Sequence, residues 1–215
     1  MIYLQWIATV VFIAAVLIVS AGRIDLWPIW EYVGVAAITT LVGSFFLDPG
    51  LVRERMRPGG KRLPVSLRLA SLFFAAHLCV AGLDIGRYHW SDTVPPELRI
   101  GALVALGLSY AIIFWAMHVN PFFSSVVRIQ SDRGQRVIRE GPYRVVRHPG
   151  YAAGIVMCLS SGVALGSWTA GLSGYLFLPF FVERMVREEA LLRRELAGYE
   201  EYAREVRYRV LPGIW

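Results

Sequence analysis

The sequence GPYRVVRHPGY, residues 141–151, stands immediately before a long apolar segment. It places Arg144, Arg147 and His148 beside Pro149, at what would be the edge of a bilayer, where cationic side chains are costly. Proline suits the first turn of a helix and disfavours helical backbone in the residue before it, so a helix is predicted to start here. The free N–H groups and positive dipole end of that helix would lie beside these cations. This arrangement favours an anionic or zwitterionic ligand.

The rest of the chain is strongly apolar. Of its 215 residues, 56% are hydrophobic, more than is usual for a soluble domain. We predict six helices that are long enough, or nearly so, to cross about 30 Å of hydrocarbon. They span residues 2–20, 27–47, 65–83, 100–119, 151–167 and 168–187. The first lacks the features of a cleaved signal peptide and is interpreted as a retained membrane helix. The expected fold class is therefore all-α integral membrane.

Lysine and arginine are distributed unevenly between the two ends of the predicted helices. All but three of the 22 lie at one end, and the exceptions are Arg23, Arg87 and Arg99. Because positive residues concentrate on the cytoplasmic side, both termini and the 141–151 stretch are predicted to be cytoplasmic. The net charge of +6 follows from this bias, with attraction to anionic membrane lipid, and does not indicate a nucleic-acid partner.

The chain divides into two parts by the position of its chemically distinctive residues. Residues 1–99 are predicted to be N-terminal transmembrane helices, whereas residues 100–215 hold the candidate site and a C-terminal tail. In the connection 120–149, apolar residues alternate loosely with polar ones around Gly134, which predicts a small β-hairpin on the cytoplasmic face.

The last predicted helix is too long to stop at the membrane surface. Its pattern continues from Trp168 to about Leu196, with an expected kink at Pro179, so its final turns would project into the cytoplasm. A turn around Gly198 and a short helix are predicted to follow. Together they would form a C-terminal cytoplasmic helical extension.

Small residues recur every four positions in the fifth predicted helix. The series is Gly150, Gly154, Cys158, Gly162 and Gly166. Such a ridge predicts that another helix packs very closely against it, and the first two glycines are also candidates for making room for a cofactor.

The histidines and cysteines show no metal-ligand spacing. His77 and His118 are isolated within predicted spans and are interpreted as packing or interhelical hydrogen-bonding residues, and Cys79 and Cys158 as buried thiols. We therefore expect a mechanism without a metal.

An acidic pair lies where the last helix would leave the membrane, at the depth of Arg147 and His148. One interpretation of Glu188 and Glu189 is helix salt bridging, since Glu189 has Arg193 at i+4. The other is a site that presents both signs of charge, which suits a zwitterion better than a simple phosphate. The residues themselves leave both interpretations open.

In combination these motifs resemble the isoprenylcysteine carboxyl methyltransferase and phospholipid methyltransferase superfamily, most closely its bacterial members. The resemblance covers about residues 100–215. It rests on the 141–151 motif with Gly154, on Glu188 and Glu189, and on Tyr199, Tyr202, Arg207, Arg209 and Pro212. It implies a methyltransferase in a bacterial inner membrane that uses S-adenosylmethionine at a cytoplasmic active site. One departure is Gly107-Leu108-Ser109, where phospholipid N-methyltransferases carry Gly-x-Gly.

The resemblance also implies a cofactor site. Its residues would be Tyr143, Arg147, His148, Pro149, Tyr151, Gly154, Glu188 and Glu189. The Arg-His pair and the helix N–H groups suit the carboxylate of the cofactor, and the acidic pair suits ribose hydroxyls or the ammonium group. The tyrosines are expected to stack on adenine or to face the sulfonium.

The methyl acceptor is less well defined than the cofactor. A carboxylate or thiolate would need a nearby cation, for which Arg144, Arg204 and Arg207 are candidates, whereas an amine would need a base such as His148 or a glutamate. Asn120, at the end of the fourth predicted helix, is expected on the acceptor side, although helix termination also explains it. We expect a lipophilic or small acceptor, and its identity and the oligomeric state stay open.

Two other classes of protein fit parts of the pattern. Membrane sterol reductases have a similar Arg-His-Pro-x-Tyr motif and use NADPH, but an acidic pair opposes a cofactor that carries several phosphates. A non-catalytic membrane binding module is the other alternative, and the intact set of site residues argues against it.

Overall fold

The protein is all-helical in the part that the structure describes. The structure is a computed structural model that covers residues 2–60 and 65–215. Its α-helices are α1 (Ile2–Ala21), α2 (Trp27–Ser44), α3 (Pro49–Met56), α4 (Val65–Leu83), α5 (Pro96–Val119), α6 (Pro149–Ala164), α7 (Trp168–Gly174), α8 (Leu178–Glu195) and α9 (Tyr199–Glu205). Each of the six segments predicted as a span contains helix. Residues 61–64, which include two of the predicted cytoplasmic basic residues, lie outside the described ranges.

Two of the described helices are long and apolar enough to cross a membrane. They are Leu67–Tyr88, which combines most of α4 with the π-helical turn Asp84–Tyr88, and Pro96–Val119. Trp6–Ala21 and Pro149–Ala164 are apolar but shorter. These helices are consistent with a membrane protein, while the number of spans and their orientation stay predictions.

The predicted β-hairpin between residues 126 and 139 was wrong, because the described part of the chain contains helices and turns but no strand. Instead, the side chain of Gln135 accepts a hydrogen bond from the backbone N–H of Gln130 at 2.6 Å, and Gly134 closes the turn at φ +64°. The segment is held by side-chain contacts to α3 rather than by a ladder. A loose alternation of apolar and polar residues could not distinguish a β-hairpin from such a loop.

The short helix α3 is the element to which this connection is attached. Asp48 caps it by accepting a hydrogen bond from Leu51 N at 2.9 Å, and Pro49 suits its first turn. The buried carboxylate of Glu54 accepts two hydrogen bonds from Arg128 at 2.9 and 3.0 Å. Burial opposes ionisation, but the Arg128 guanidinium outweighs it and holds the pKa of Glu54 below its ordinary value. This pair fixes α3, and with it Arg55, against the 120–149 connection.

The last predicted helix is interrupted, but its projection beyond the apolar region is present. α7 ends at Gly174, a 3-10 turn occupies Tyr175–Phe177, and α8 continues to Glu195. The break precedes Pro179, whose missing N–H cannot bond to a carbonyl one turn earlier. The backbone stays right-handed helical at Gly174 and Leu178, so a tightened turn lies where the kink was predicted, and α9 supplies the predicted short helix that follows.

The glycine ridge of α6 packs against α7, as its four-residue spacing predicts. A Cβ on Gly162 would overlap the backbone of Ala170 and Gly171, so the two helices touch main chain to main chain. Nearer the start of α6, a Cβ on Gly150 would lie 2.5 Å from the ring of Phe123. That glycine makes room for an aromatic ring beside the site.

A buried polar network joins the helices behind this ridge. His77 on α4 lies between Ser173 Oγ at 2.8 Å and Ser161 Oγ at 2.9 Å, and Tyr32 Oη on α2 lies 2.8 Å from the same Ser161 hydroxyl. The interpretation of His77 as an interhelical hydrogen-bonding residue is confirmed. The network fixes α6, and so the residues that precede it, relative to the N-terminal helices.

Candidate functional site

A cavity of about 940 Å³ lies beside the start of α6. Its polar lining includes Asn120, Tyr143, Arg147, His148, Tyr151 and Glu188. It also extends to apolar side chains on α1, α4 and the α7–α8 segment, among them Phe12, Ile13, Phe74, Phe177 and Phe181. This volume is near the upper end of the roughly 300–1,000 Å³ typical of small-molecule pockets. There is room for more than one ligand group.

The C-terminal tail holds the two residues that precede α6. The backbone N–H groups of Arg147 and His148 donate to the carbonyl oxygens of Tyr208 at 2.9 Å and Arg209 at 2.8 Å. The Arg147 side chain donates from Nη1 to the carbonyls of residues 206–207, both at 2.7 Å. These bonds fix the backbone and the guanidinium at the start of the helix.

Glu189 is the centre of a buried ionic cluster. Its carboxylate, 2% exposed, accepts hydrogen bonds from Arg147 at 2.9 Å, Arg209 at 2.8 Å and Arg193 at 3.0 Å, and lies 3.2 Å from His148 Nε2. Burial raises its pKa, but the hydrogen bonds from His148 and Arg209 and the charge of Arg147 outweigh burial and hold the pKa well below its usual range. Glu189 organises the surrounding residues, and the cavity lining does not include it.

Glu188 lines the cavity and has a different environment from its neighbour. It accepts a hydrogen bond from Tyr151 Oη at 2.7 Å, and the same phenol oxygen accepts one from Arg184 Nε at 2.9 Å. Adjacent positions on an α-helix point about 100° apart, so one carboxylate faces the ionic cluster and the other the cavity. Salt bridging is therefore confirmed for Glu189, and a role in a ligand site stays a prediction for Glu188.

Asn120 and Tyr143 form a polar pair on the cavity wall. Asn120 ends α5, its Oδ1 accepts from Phe122 N at 2.9 Å, and its Nδ2 donates to Tyr143 Oη at 2.9 Å. Tyr143 is held in turn by Tyr202 Oη, which donates to its backbone carbonyl at 2.8 Å. Burial raises the pKa of Tyr143, so its phenol stays protonated at neutral pH. Asn120 therefore both terminates the helix and reaches the cavity.

The arginines expected on the acceptor side do not lie in the cavity lining. The side chains of Arg144, Arg204 and Arg207 are exposed to solvent. Besides Arg147, four other arginines line the cavity: Arg68 and Arg136, which are exposed to solvent, and Arg55 of α3 and Arg184 of α8, which are partly buried. Sequence reasoning missed Arg55 because it stands in a basic segment far from the motif and only the fold brings it close.

Tyr199 is a further cavity residue that was not among the predicted ligands. It lies at the start of α9, and its buried Oη has no hydrogen-bond partner within residues 2–60 and 65–215. Nε of Arg147 is likewise buried without a partner in the described part of the chain. The sequence pattern that could have identified Tyr199 as a site residue is its place in the C-terminal tail motif.

Comparison with known proteins identifies the region that holds most of these residues. Residues 102–194 match the model of the isoprenylcysteine carboxyl methyltransferase family. The match covers less than half of the chain, and residues 102–194 are called the family segment below. It extends from α5 to the end of α8 and contains Asn120 and the acidic pair.

Curated relatives share part of the same region. The chain is 35% identical over 86 residues to a probable protein-S-isoprenylcysteine O-methyltransferase from Oryza sativa subsp. indica, covering 39% of this chain and 45% of that protein. It is 31% identical over 86 residues to the Schizosaccharomyces pombe protein-S-isoprenylcysteine O-methyltransferase, covering 39% and 36%. A mouse Delta(14)-sterol reductase is 25% identical over 101 residues, covering 45% and 24%. The match thus spans less than half the length of these relatives.

The family segment does not contain the whole site. Arg55, Tyr199 and the tail residues that pair with Arg147 and His148 all lie outside residues 102–194. The fold assembles the cavity from the family segment and from helices before and after it.

Proposed function

We propose that this protein is a membrane-embedded methyltransferase that uses S-adenosylmethionine and modifies a lipophilic acceptor. The observation that carries the proposal is a continuous cavity whose lining changes from charged groups around the start of α6 to phenyl rings of α1, α4 and α8. Methyl transfer between a polar donor and a lipophilic acceptor requires both environments in one space. The similarity of residues 102–194 to a methyltransferase family supports the same reaction.

The polar lining fits the chemical groups of this cofactor. Glu188 offers a carboxylate for ribose hydroxyls or the ammonium group, and Tyr199 Oη and Arg147 Nε are buried polar atoms without partners in the described residues. The first N–H groups of α6 add donors for a carboxylate. The cofactor, when bound, supplies a methyl group on a positively charged sulfur.

The contribution of the protein to such a reaction is mainly alignment and exclusion of water. The ionic cluster around Glu189 fixes Arg147 and His148, and the Asn120–Tyr143 pair fixes the opposite wall. His148 Nε2 lies against Glu189, which favours a positioning role for this side chain over proton removal from an acceptor. The phenyl rings of Phe12, Phe74 and Phe177 would hold hydrocarbon.

Replacing Glu188 with glutamine is expected to weaken S-adenosylmethionine binding roughly tenfold to a hundredfold, because a charge-assisted contact is reduced to a neutral one. Isothermal titration calorimetry on the purified protein in detergent measures the change. Glu183→Gln is the matched control, since Glu183 is exposed on the same helix, outside the cavity lining, and pairs with Arg187. Unchanged affinity in Glu188→Gln would remove this residue from the cofactor site.

A reductase would give the opposite result in the same titration, because it would bind NADPH and not S-adenosylmethionine. NADPH carries several phosphates, and the sterol reductase relative makes it a necessary comparison. We expect the wild-type protein to bind S-adenosylmethionine and not NADPH. Tight NADPH binding without S-adenosylmethionine binding contradicts the proposal.

A second experiment separates an enzyme from a non-catalytic binding module. Membranes containing the protein are incubated with S-adenosylmethionine that carries a deuterated methyl group, and lipid extracts are analysed by mass spectrometry. We expect a labelled lipophilic product with the wild type, and about tenfold less of it or lower with Glu188→Gln when the cofactor is below saturation.

A further inference from the structure

The C-terminal tail folds back on itself into a closed loop. The carbonyl oxygen of Trp215 accepts hydrogen bonds from the N–H groups of residues 209–211 at 2.9, 3.0 and 3.1 Å, and the N–H of Trp215 donates to the Leu211 carbonyl at 3.1 Å. Gly213 permits the reversal of the chain at φ +83°. The guanidinium carbon of Arg209 lies 5.4 Å from the centre of the Trp215 ring, a cation–π contact that helps to hold this side chain. Residues 206–215 are called the tail loop below.

The tail loop exposes large apolar side chains. Ile214 is 76% exposed, Leu211 50% and Trp215 37%, and Tyr208 is also exposed. Because hydrogen bonds close the backbone of the loop, these side chains are presented together on one short segment. An exposed apolar cluster of this kind marks an interaction surface.

The tail loop lies beside the first residue of an apolar helix. The carbonyl of Arg209 accepts a hydrogen bond from the N–H of His148 at 2.8 Å, and Pro149 begins α6. Because α6 is apolar, its first residues would lie at the boundary between hydrocarbon and water when the protein is in a membrane. The tail loop would then lie at the same boundary, where tryptophan and tyrosine are enriched in membrane proteins.

Two exposed arginines accompany these apolar side chains. Arg207 is part of the tail loop, and Arg204 is two residues before it. Neither side chain forms an ion pair in the part of the chain that the structure describes, and Glu205, the one acid of residues 204–215, is paired with Arg139. Cations that the protein does not neutralise, next to exposed apolar side chains, favour a surface of anionic lipid over a neutral one.

We propose that the tail loop docks on the anionic head groups of the membrane, and that this contact stabilises the start of α6. Arg204 and Arg207 pair with phosphate groups, while Ile214 and Trp215 enter the boundary between head groups and hydrocarbon. The inference rests on the membrane location in the proposed function, and it depends neither on the cofactor nor on the methyl acceptor.

The backbone of the tail loop connects this docking surface to the candidate site. The carbonyls of residues 206–209 accept the hydrogen bonds from the Arg147 side chain and from the N–H groups of Arg147 and His148. Since these bonds need the tail loop in place, a lipid contact that favours the closed loop also favours the bonded state of Arg147 and His148. The lipid composition of the membrane would thereby change how well the start of α6 is held.

Hydrogen–deuterium exchange tests the proposal with the purified protein in nanodiscs that hold one copy each. One set of nanodiscs contains phosphatidylcholine alone, and the other contains phosphatidylglycerol as well. The amides of residues 209–215 are expected to exchange about fivefold more slowly, or slower still, in the anionic set, because each arginine near an anionic surface strengthens binding about fivefold. Since each disc holds one copy and no other protein, neither a second copy nor a soluble partner can cause the difference.

Replacing both Arg204 and Arg207 with glutamine is expected to remove the difference between the two lipid sets. Both side chains are exposed and have no ion-pair partner among the described residues, so the fold should be unchanged. The matched control is Arg53→Gln with Arg57→Gln, which removes the same charge from exposed positions at the end of α3 and should leave the difference as it is. Ile214→Ser should speed the exchange of the tail loop in the anionic set.

Two results would overturn the docking. One is equal exchange of the tail loop in both lipid sets, and the other is an equal loss of protection in the α3 control, which would reduce the effect to net charge. Exchange at the N–H groups of Arg147 and His148 tests the link to the site and is expected to slow in the same lipid set as the tail loop. Unchanged exchange there would overturn the stabilisation of the start of α6. S-adenosylmethionine takes no part in these measurements, so failure of the proposed function is detected separately, by the calorimetric titration.

Discussion

Replacing Glu189 with glutamine is expected to destabilise the protein by about 3–5 kcal/mol, the cost of breaking a buried ion pair by removing one partner. The substitution leaves Arg147, with 6% of its surface exposed, and Arg209 without their shared carboxylate. The measurement is the thermal unfolding midpoint in detergent, which should fall by on the order of 10 °C. Glu195→Gln, an exposed position at the end of the same helix, is the control.

The difference in unfolding midpoint between the wild type and Glu189→Gln should depend on pH, because the pKa of Glu189 is lowered in the folded protein. A carboxylate whose pKa is lower in the folded state stabilises the protein fully above its unfolded pKa, near 4.5, and loses that contribution as pH falls through the folded value. The difference in midpoint between wild type and Glu189→Gln should therefore be constant from pH 8 to about pH 5 and shrink below about pH 4.5. A difference that shrinks as pH rises from 5 to 8 would show that another group dominates.

Replacing Gly162 with alanine is expected to destabilise the protein by about 3 kcal/mol, the upper part of the usual range for overpacking. The added methyl group would overlap the backbone of Ala170 and Gly171, which cannot move aside as a flexible side chain could. α6 and α7 must then separate, and the His77 network that joins them would be strained. Unfolding midpoints and size-exclusion profiles in detergent report the effect.

The control for this substitution is expected to change stability in the opposite direction. A Cβ on Gly34 of α2 would have no heavy atom within 4 Å. Gly34→Ala should therefore stabilise the protein slightly, by up to about 1 kcal/mol, because alanine is the better helix former. If Gly162→Ala behaves like Gly34→Ala, the main-chain contact between α6 and α7 is not present in solution.

Local sequence patterns were sufficient to predict those structural features that depend on a single helix. Long apolar runs predicted the helices, and Pro149 after His148 predicted the start of α6 at the correct residue. The continuation of charged helical pattern past the apolar region predicted the extended α8 and the short α9. The projection of α8 was therefore predicted from the sequence, and the 3-10 turn lies just before Pro179, where a kink was predicted.

The remaining features depend on which side chains meet in space. Alternating residues around Gly134 fit a strand or a loop equally well, and only attachment to α3 through Arg128 decides in favour of the loop. The different environments of Glu188 and Glu189 depend on the rotation of α8, which sequence does not define. Arg55 reaches the cavity from a helix that precedes the family segment, so no local pattern could assign it to the site.

The pairing of the tail with Arg147 and His148 also has a consequence for biosynthesis. Residues 206–209 leave the ribosome about sixty positions after the motif whose N–H groups they bind. The preceding helices can pack in order of synthesis, but the start of α6 remains incompletely bonded until residues 206–209 have been made. A nascent chain would therefore form the apolar part of the cavity first, and Arg147 and His148 would be fixed only after residue 209 has left the ribosome.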